Sequence, residues 1–236
     1  MSLIRTEVRL SFLLAAATLA GFAVIPAISQ SPQLQERLAD IKQAARANRE
    51  TLAKYTWQEQ QTVIIKNEER GQKLFQVQVG ADGKLKKILL RDHPSSSKYG
   101  IVGSLRERII KAEIEEAFNY TQGIAALAQS YTQPETVKVQ LADVSLGSVG
   151  GPGEIQLIIT NYIKPYDSVS LIFDSALKTI QSLLVSSYLN KRTDAVLITA
   201  QFSTLPDGIN HVSQMTVDDV REHLTLQVEN SNYKKK

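Results

Sequence analysis

Residues Trp57–Leu90 read WQEQQTVIIKNEERGQKLFQVQVGADGKLKKILL, and this stretch decides the fold class. In the run Phe75-Gln76-Val77-Gln78-Val79, apolar and polar side chains alternate. That period of two puts Phe75, Val77 and Val79 on one face of a strand and the glutamines on the other. Asp82-Gly83 suits a two-residue hairpin, where both central positions need positive φ. Gly71 is expected to close the earlier turn. Three antiparallel strands in a meander are predicted.

The same style returns from Glu135, where Val137, Val139 and Leu141 alternate with Lys138 and Gln140. Further extended runs are predicted over 155–163, 169–173, 179–188, 195–204, 209–217 and 222–228. Between them stands turn chemistry such as Lys164-Pro165-Tyr166-Asp167 and Pro206-Asp207-Gly208. Links this short join antiparallel neighbours, because parallel crossovers need a dozen or more residues. Gly147 to Gly153 reads as a flexible loop, and Arg91 to Gly103 as another. Leu157-Ile158-Ile159, Leu183-Leu184-Val185 and Val196-Leu197-Ile198 are apolar on both faces, so cover on both sides is expected.

Two helices complete the layout. Ser31-Pro32 resembles an N-cap followed by proline in the first turn. Leu34, Leu38, Ile41, Ala45, Leu52 and Tyr55 follow at spacings of three, four or seven, giving an amphipathic helix that ends near Lys54. Ser104 to Glu107 is a capping box. The long helix it opens carries a stripe of Leu105, Ile109, Ala112, Ala117, Thr121, Ile124 and Ala128, and Pro134 forbids its continuation. The fold class expected is α+β. A strongly curved antiparallel sheet of about ten strands, an incomplete β-barrel, is covered by the N-terminal helix and the long inserted one. A sheet so wide seldom stays flat and open.

The N-terminus reads as a secretory signal peptide. Arg5 and Arg9 form a charged region, Leu10 to Ile25 is uncharged and mostly apolar, and Ala27 and Ser29 precede a cleavage site between Ser29 and Gln30. An uncleaved N-terminal anchor is the other reading. The apolar run is shorter than the ~20 residues a spanning helix needs. The mature protein is therefore expected to be exported, periplasmic or secreted, and not membrane-spanning. The domain division expected is a signal peptide over 1–29, one domain over 30–233 and a basic tail over 234–236. The chain of 236 residues has no cysteine, so its hydrophobic core alone must stabilise it.

Composition excludes more than it assigns. A net charge of +3, with no dense basic helix or RNA-binding aromatic motif, argues against nucleic acid. His93, His211 and His223 have no helical or strand spacing to one another, and a metal site needs three or four converging ligands. They read as solvated side chains. Thiol catalysis is excluded without cysteine, and no serine occupies a G-x-S-x-G elbow. No cofactor, metal or catalytic residue is assigned. Trp57, Tyr55 and Phe75 read as core.

The layout resembles the periplasmic lipoprotein-carrier superfamily with the LolA/LolB-like fold, in particular its exported bacterial members. The local text that carries the resemblance is Tyr55-Thr56-Trp57-Gln58-Glu59, Asp82-Gly83-Lys84, Leu205-Pro206-Asp207-Gly208 and Glu229-Asn230-Ser231-Asn232-Tyr233. The resemblance implies an incomplete barrel closed by helices and a non-enzymatic carrier. Its partner would be a lipid or a lipidated protein, and the protein is expected to be a monomer. A curved sheet under a helical lid makes a dry cavity able to shield an acyl chain. Candidate lining residues are Phe75, Val77, Leu157, Ile159, Leu171, Phe173, Leu184 and Leu197, with either strand parity able to face inward. The alternative is a protein-interaction module of envelope assembly or stress sensing, with a packed interior and no lipid.

Overall fold

A computed structural model describes residues 32–81, 83–94, 120, 123, 127, 131, 143–148, 153–219, 221 and 223–236. One helix, α1 (Pro32–Leu52), is followed by ten strands: β1 (Tyr55–Ile65), β2 (Glu68–Val79), β3 (Leu85–Pro94), β4 (Asp143–Ser148), β5 (Glu154–Thr160), β6 (Ser168–Asp174), β7 (Thr179–Tyr188), β8 (Ala195–Thr204), β9 (Asn210–Asp219) and β10 (Leu224–Lys235). They form a single sheet in the order β3-β2-β1-β10-β9-β8-β7-β6-β5-β4. Every neighbouring pair is antiparallel.

Two meanders meet at the centre of this sheet. The first is β1–β3 and the second β4–β10, joined by the long β1–β10 ladder from Tyr55↔Lys235 to Ile65↔Leu224. The chain leaves the sheet at the β3 edge and re-enters at the β4 edge. Ten strands leave nine gaps, about 43 Å of flat sheet at ~4.8 Å per gap. Five of the nine ladders contain a register shift, in β1/β10, β1/β2, β2/β3, β6/β7 and β8/β9. Each such shift bends its strand and increases the local twist.

The core lies on one face. Leu157, Leu171, Leu183, Ala200, Met215 and Val228 form an unbroken rung across β5, β6, β7, β8, β9 and β10. A second rung runs Ile159, Val169, Val185, Ile198, Val217, Leu226 and Val63, and ends beside Gly71. All thirteen of these side chains are buried.

Because strands alternate in direction, the turns fall at two ends of the sheet. At one end lie the β2–β3, β6–β7 and β8–β9 turns, and α1 lies along it. Ile41 and Ala45 of α1 enter the main core, while Leu52 packs with Tyr55 and Ile209. Polar contacts set its position. Asn48 Nδ2 donates to the Asn210 carbonyl at 2.5 Å, and Asn210 N donates back to Asn48 Oδ1 at 2.8 Å. Lys178 Nζ, in the β6–β7 turn, donates to Asp40 at 2.9 Å.

The inserted helix lies outside the described residues, apart from Tyr120, Gly123, Leu127 and Tyr131, which are helical. Their spacing of three, four and four puts them on one face. They sit at the other end of the sheet. Tyr120 Oη donates to Asp219 at 2.5 Å, and Tyr131 Oη donates to Asp167 at 2.5 Å and lies 2.6 Å from Ser187 Oγ. The expected signal peptide, its expected cleavage site and the strand expected over 137–141 also lie outside the described residues.

Several local expectations are corrected. The first turn is at Lys66-Asn67, both with positive φ (51° and 64°), which is the hairpin-compatible pair. Gly71 is instead buried within β2, opposite Val63 and Pro94. β3 runs on to Pro94, through residues that read as loop, because Arg91, Asp92 and His93 pair with β2 along the sheet edge. Gly147 and Ser148 belong to β4, not to a loop. At the C-terminus, Lys234 and Lys235 are part of β10 and pair with Thr56 and Tyr55. Among the described residues, no helix is long and apolar enough to cross a membrane.

Candidate functional site

The inner face of the sheet, with its helical cover, is the candidate site. Leu157, Ile159, Leu171 and Phe173 all lie in the main buried cluster, together with Ile41 of α1, Leu127 and Tyr131. Phe75 and Val77 are also buried and inward, but they form a separate cluster with Trp57. Leu184 and Leu197 do not line the interior. They are 43 % and 37 % exposed. Leu184 stands beside Ser170 and Thr199, and Leu197 beside Ser186 and Asp218, on the polar outer face. The strands that are apolar on both faces thus have one covered face. Their outer leucines are isolated among hydroxyl and carboxylate neighbours, and such exposure is ordinary.

Beyond β10 the inner face becomes polar. The first rung continues from Val228 into Gln61, and Glu59 follows on the same face of β1. Glu59 and Gln61 are 0 % and 1 % exposed. Lys87 reaches across from β3, its Nζ 2.5 Å from Glu59 Oε1, with its side chain 1 % exposed. Gln61 Nε2 donates to the same oxygen at 2.6 Å. Burial pushes the Lys87 ammonium below its usual range, against the opposing pull of Glu59. Aromatic rings enclose the pair. Lys87 Nζ lies 5.9 Å from the Phe75 ring, and Trp57 stacks on Tyr233 at 5.6 Å. Trp57 Nε1 donates to Asn230 Oδ1 at 3.1 Å.

Asp167 holds Tyr131 in place. This carboxylate is 1 % exposed and sits in the link between β5 and β6. It accepts hydrogen bonds from the backbone N–H of Tyr162, Ile163 and Lys164 as well as from Tyr131 Oη. One side chain therefore both shapes the turn and binds Tyr131. Burial, then the Asp167 hydrogen bond, pushes the Tyr131 hydroxyl strongly up, so it stays a donor.

Beside this anchor lies a cleft of about 490 Å³, lined by Tyr120, Gly123, Leu127, Lys164, Leu189 and Asn190. Lys164 is its cation. Its Nζ donates to the carbonyls of Tyr188 at 2.6 Å and Leu189 at 2.8 Å, and lies 4.9 Å from the Tyr188 ring.

The histidines do not meet. His93 is exposed on the edge strand β3, and His223 is exposed in the β9–β10 turn with a φ of 50°. His211 is a correction: it is buried, 6 % exposed, with Nδ1 3.1 Å from the Val212 carbonyl and its ring 4.2 Å from that of Tyr233. Among the described residues, no group of three or more His, Cys, Asp or Glu side chains could hold a metal.

Sequence reasoning missed Glu59, Lys87, Lys164, Asp167 and Asn210. Only Glu59 carried a visible sign, a carboxylate at the inward parity of Trp57 in a strand otherwise set for burial. The others acquire their roles from partners far away in the chain.

No family model matches this chain, and no curated protein sequence matches it. Solved structures do. One is a DUF1329 family protein from Desulfovibrio piger, 14 % identical, with a TM-score of 0.47 over 84 % of this chain and 92 % of the other. A second is a LolA superfamily protein from Nitrosomonas europaea, 12 % identical, with a TM-score of 0.41 over 84 % and 93 %. A third carries the name of an outer membrane lipoprotein-sorting protein domain, from Vibrio parahaemolyticus, 11 % identical, with a TM-score of 0.40 over 84 % and 91 %.

Proposed function

We propose that this protein is a non-enzymatic carrier of the bacterial envelope, which holds an acyl chain or a lipidated partner against the inner face of its sheet. The observation that carries this reading is the pair of unbroken apolar rungs from β5 to β10, covered by helical side chains. The secretory pattern at the N-terminus supports the compartment.

Burying a chain of about 15 methylenes is worth ~12 kcal/mol at ~0.8 kcal/mol per CH₂. Lifting Leu127 and Tyr131 off the sheet costs about 1.5–3 kcal/mol for each side chain, plus about 1 kcal/mol per hydrogen bond at Tyr131 and Tyr120. A buried chain of that length is thus worth more than the contacts of these two side chains.

Delipidated protein titrated with a fluorescent fatty acid should give saturable binding, and native mass spectrometry should find lipid on protein purified without detergent. Absence of both would remove this reading. A second reading, a protein-interaction module with a packed interior, is favoured by Ile88, Leu89 and Leu90 on the edge strand β3. They are 58 %, 48 % and 50 % exposed. Such an edge suits addition of a strand from a partner.

A further inference from the structure

We propose that the corner of the sheet where β10 ends and β3 begins docks on an anionic lipid bilayer. This goes beyond the carrier reading and does not rest on it, since it concerns the outer face of the sheet and not the covered one.

Positive charge is gathered at this corner. Residues 234–236, a basic tail by sequence, are fixed by the sheet. Lys234 and Lys235 pair with Thr56 and Tyr55, and Lys236 N donates to the Lys54 carbonyl at 2.8 Å. Two rungs run from here to the β3 edge. One is Lys234, Thr56, Gln78 and Lys86. In the other, Lys236 lies beside Lys54, and Gly80 N donates to the Lys84 carbonyl at 2.7 Å. At ~4.8 Å per strand gap, the lysines of the two strands stand ~14 Å apart, and the rungs are ~7 Å apart. Lys54, Lys84, Lys86, Lys234, Lys235 and Lys236 are all exposed, in a chain whose net charge is only +3. Neighbours within a Debye length of ~8–10 Å act together on an approaching anion.

The nearby carboxylates do not cancel them. Glu50 is ion-paired to Arg46 at 3.3 Å, Asp207 accepts a hydrogen bond from Tyr55 Oη, and Glu59 is buried against Lys87. Glu229, the next carboxylate along β10, is ~15 Å from Lys234 by strand rise, beyond a Debye length. Asp82, between β2 and β3, lies outside the described residues, and counting it in full leaves the corner positive. Lys236 Nζ donates to the carbonyls of Ala53 at 3.0 Å and Val79 at 2.9 Å, which hold the ammonium without neutralising it. Among the described residues, Lys54, Lys86, Lys234 and Lys235 have no ion-pair partner.

Apolar surface beside the lysines favours a bilayer over a soluble polyanion. Ile88 follows Lys86 on the same outer parity of β3 and is 58 % exposed. Leu89 and Leu90, next along the strand, are exposed as well. Exposed apolar side chains flanked by lysines match a surface that has anionic heads outside and acyl chains behind them.

The test is co-sedimentation of the protein, purified from cells that make the full chain, with vesicles of phosphatidylcholine alone or with about one third phosphatidylglycerol. Binding should be at least tenfold tighter to the anionic vesicles and should fall as salt is raised. A retained apolar N-terminus would bind both compositions alike, so the difference between them reads the lysines. Each lysine removed should weaken anionic binding about fivefold, the ratio that ~1 kcal/mol gives. Lys86→Gln with Lys234→Gln should therefore lose about twentyfold. Ile88→Ser should lose about threefold. Lys191→Gln with Arg192→Gln, an equal loss of charge at the opposite end of the sheet, should stay within about twofold of wild type. Equal binding to the two compositions overturns the proposal, and so does an equal loss in the two double variants, which would make the effect one of net charge. If polyglutamate binds with the same dependence on Lys86 and Lys234 while the vesicles do not, the corner docks an acidic protein and the bilayer is excluded. Fatty-acid titration of the same samples keeps the two readings apart. A wild type that binds anionic vesicles but no fatty acid removes the carrier reading and leaves this one standing.

Discussion

Lys87 and Glu59 form an ion pair sealed inside the sheet, 2.5 Å from Nζ to Oε1, although they sit on strands that are not neighbours. β2 lies between them, and the two side chains meet over its inner face beside Phe75 and Val77. Two charges out of water gain from each other, but each alone is costly. Lys87→Met should therefore destabilise the protein by about 3–5 kcal/mol, and adding Glu59→Met should recover most of that loss. Urea denaturation of the two variants decides it. A double variant no better than the single one would mean that the pair is not what stabilises this region.

Tyr131→Phe deletes the hydroxyl shared by Asp167 and Ser187 while keeping the ring in the core. The expected loss is about 1–2 kcal/mol, the scale of hydrogen bonds that include a charged acceptor. If the inserted helix is the cover that a ligand displaces, the same variant should take up the fluorescent fatty acid faster. Stopped-flow association rates equal to wild type would count against that role for the helix.

The outer and inner leucines should behave differently. Leu171→Ala creates a cavity among fully buried neighbours and should cost about 2–5 kcal/mol. Leu184→Ser and Leu197→Thr, on the exposed face, should stay within about 0.5 kcal/mol of wild type. They should also leave fatty-acid affinity unchanged. A loss of affinity in either variant would place the ligand on the wrong face of the sheet for the carrier reading.

His211 should give the protein an acid-sensitive limb. Burial pushes its imidazolium below the ordinary pKa of 6.5, with the Val212 carbonyl acting weakly the other way. In the unfolded chain it titrates near 6.5. Below that pH the unfolded state takes up the proton first, so its contribution is complete above about 6.5 and is lost as pH falls towards the folded value. Thermal midpoints measured from pH 8 to pH 5 should fall less steeply in His211→Phe than in wild type. Parallel curves would exclude this histidine as the cause.

Local chemistry made much of this architecture readable. The alternation at Phe75–Val79 is a property of adjacent residues, and it predicted β2, whereas the link to β3 spans residues 80–84 and is longer than the two-residue hairpin expected at Asp82-Gly83. The span of β7, Thr179–Tyr188, matches its prediction residue for residue. Readings failed where the deciding partner was distant. Arg91 to His93 look like loop by composition, yet they bond to β2. Asn210 looks like the end of a turn, yet its side chain holds both backbone groups of Ile180 while its own backbone bonds to Asn48 of α1.

The amino-acid order alone therefore determined an antiparallel, meandering α+β chain with an export pattern, because period, turn residues and caps act over a few neighbours. Tertiary structure decided which face became the interior. Leu183-Leu184-Val185 is equally greasy on either parity, and only ladder pairing with β6 and β8 turns Leu183 and Val185 inward and leaves Leu184 in water. Tertiary structure also brought Glu59 to Lys87, Tyr131 to Asp167 and Lys164 to the cleft, since no short-range rule links residues separated by dozens of positions.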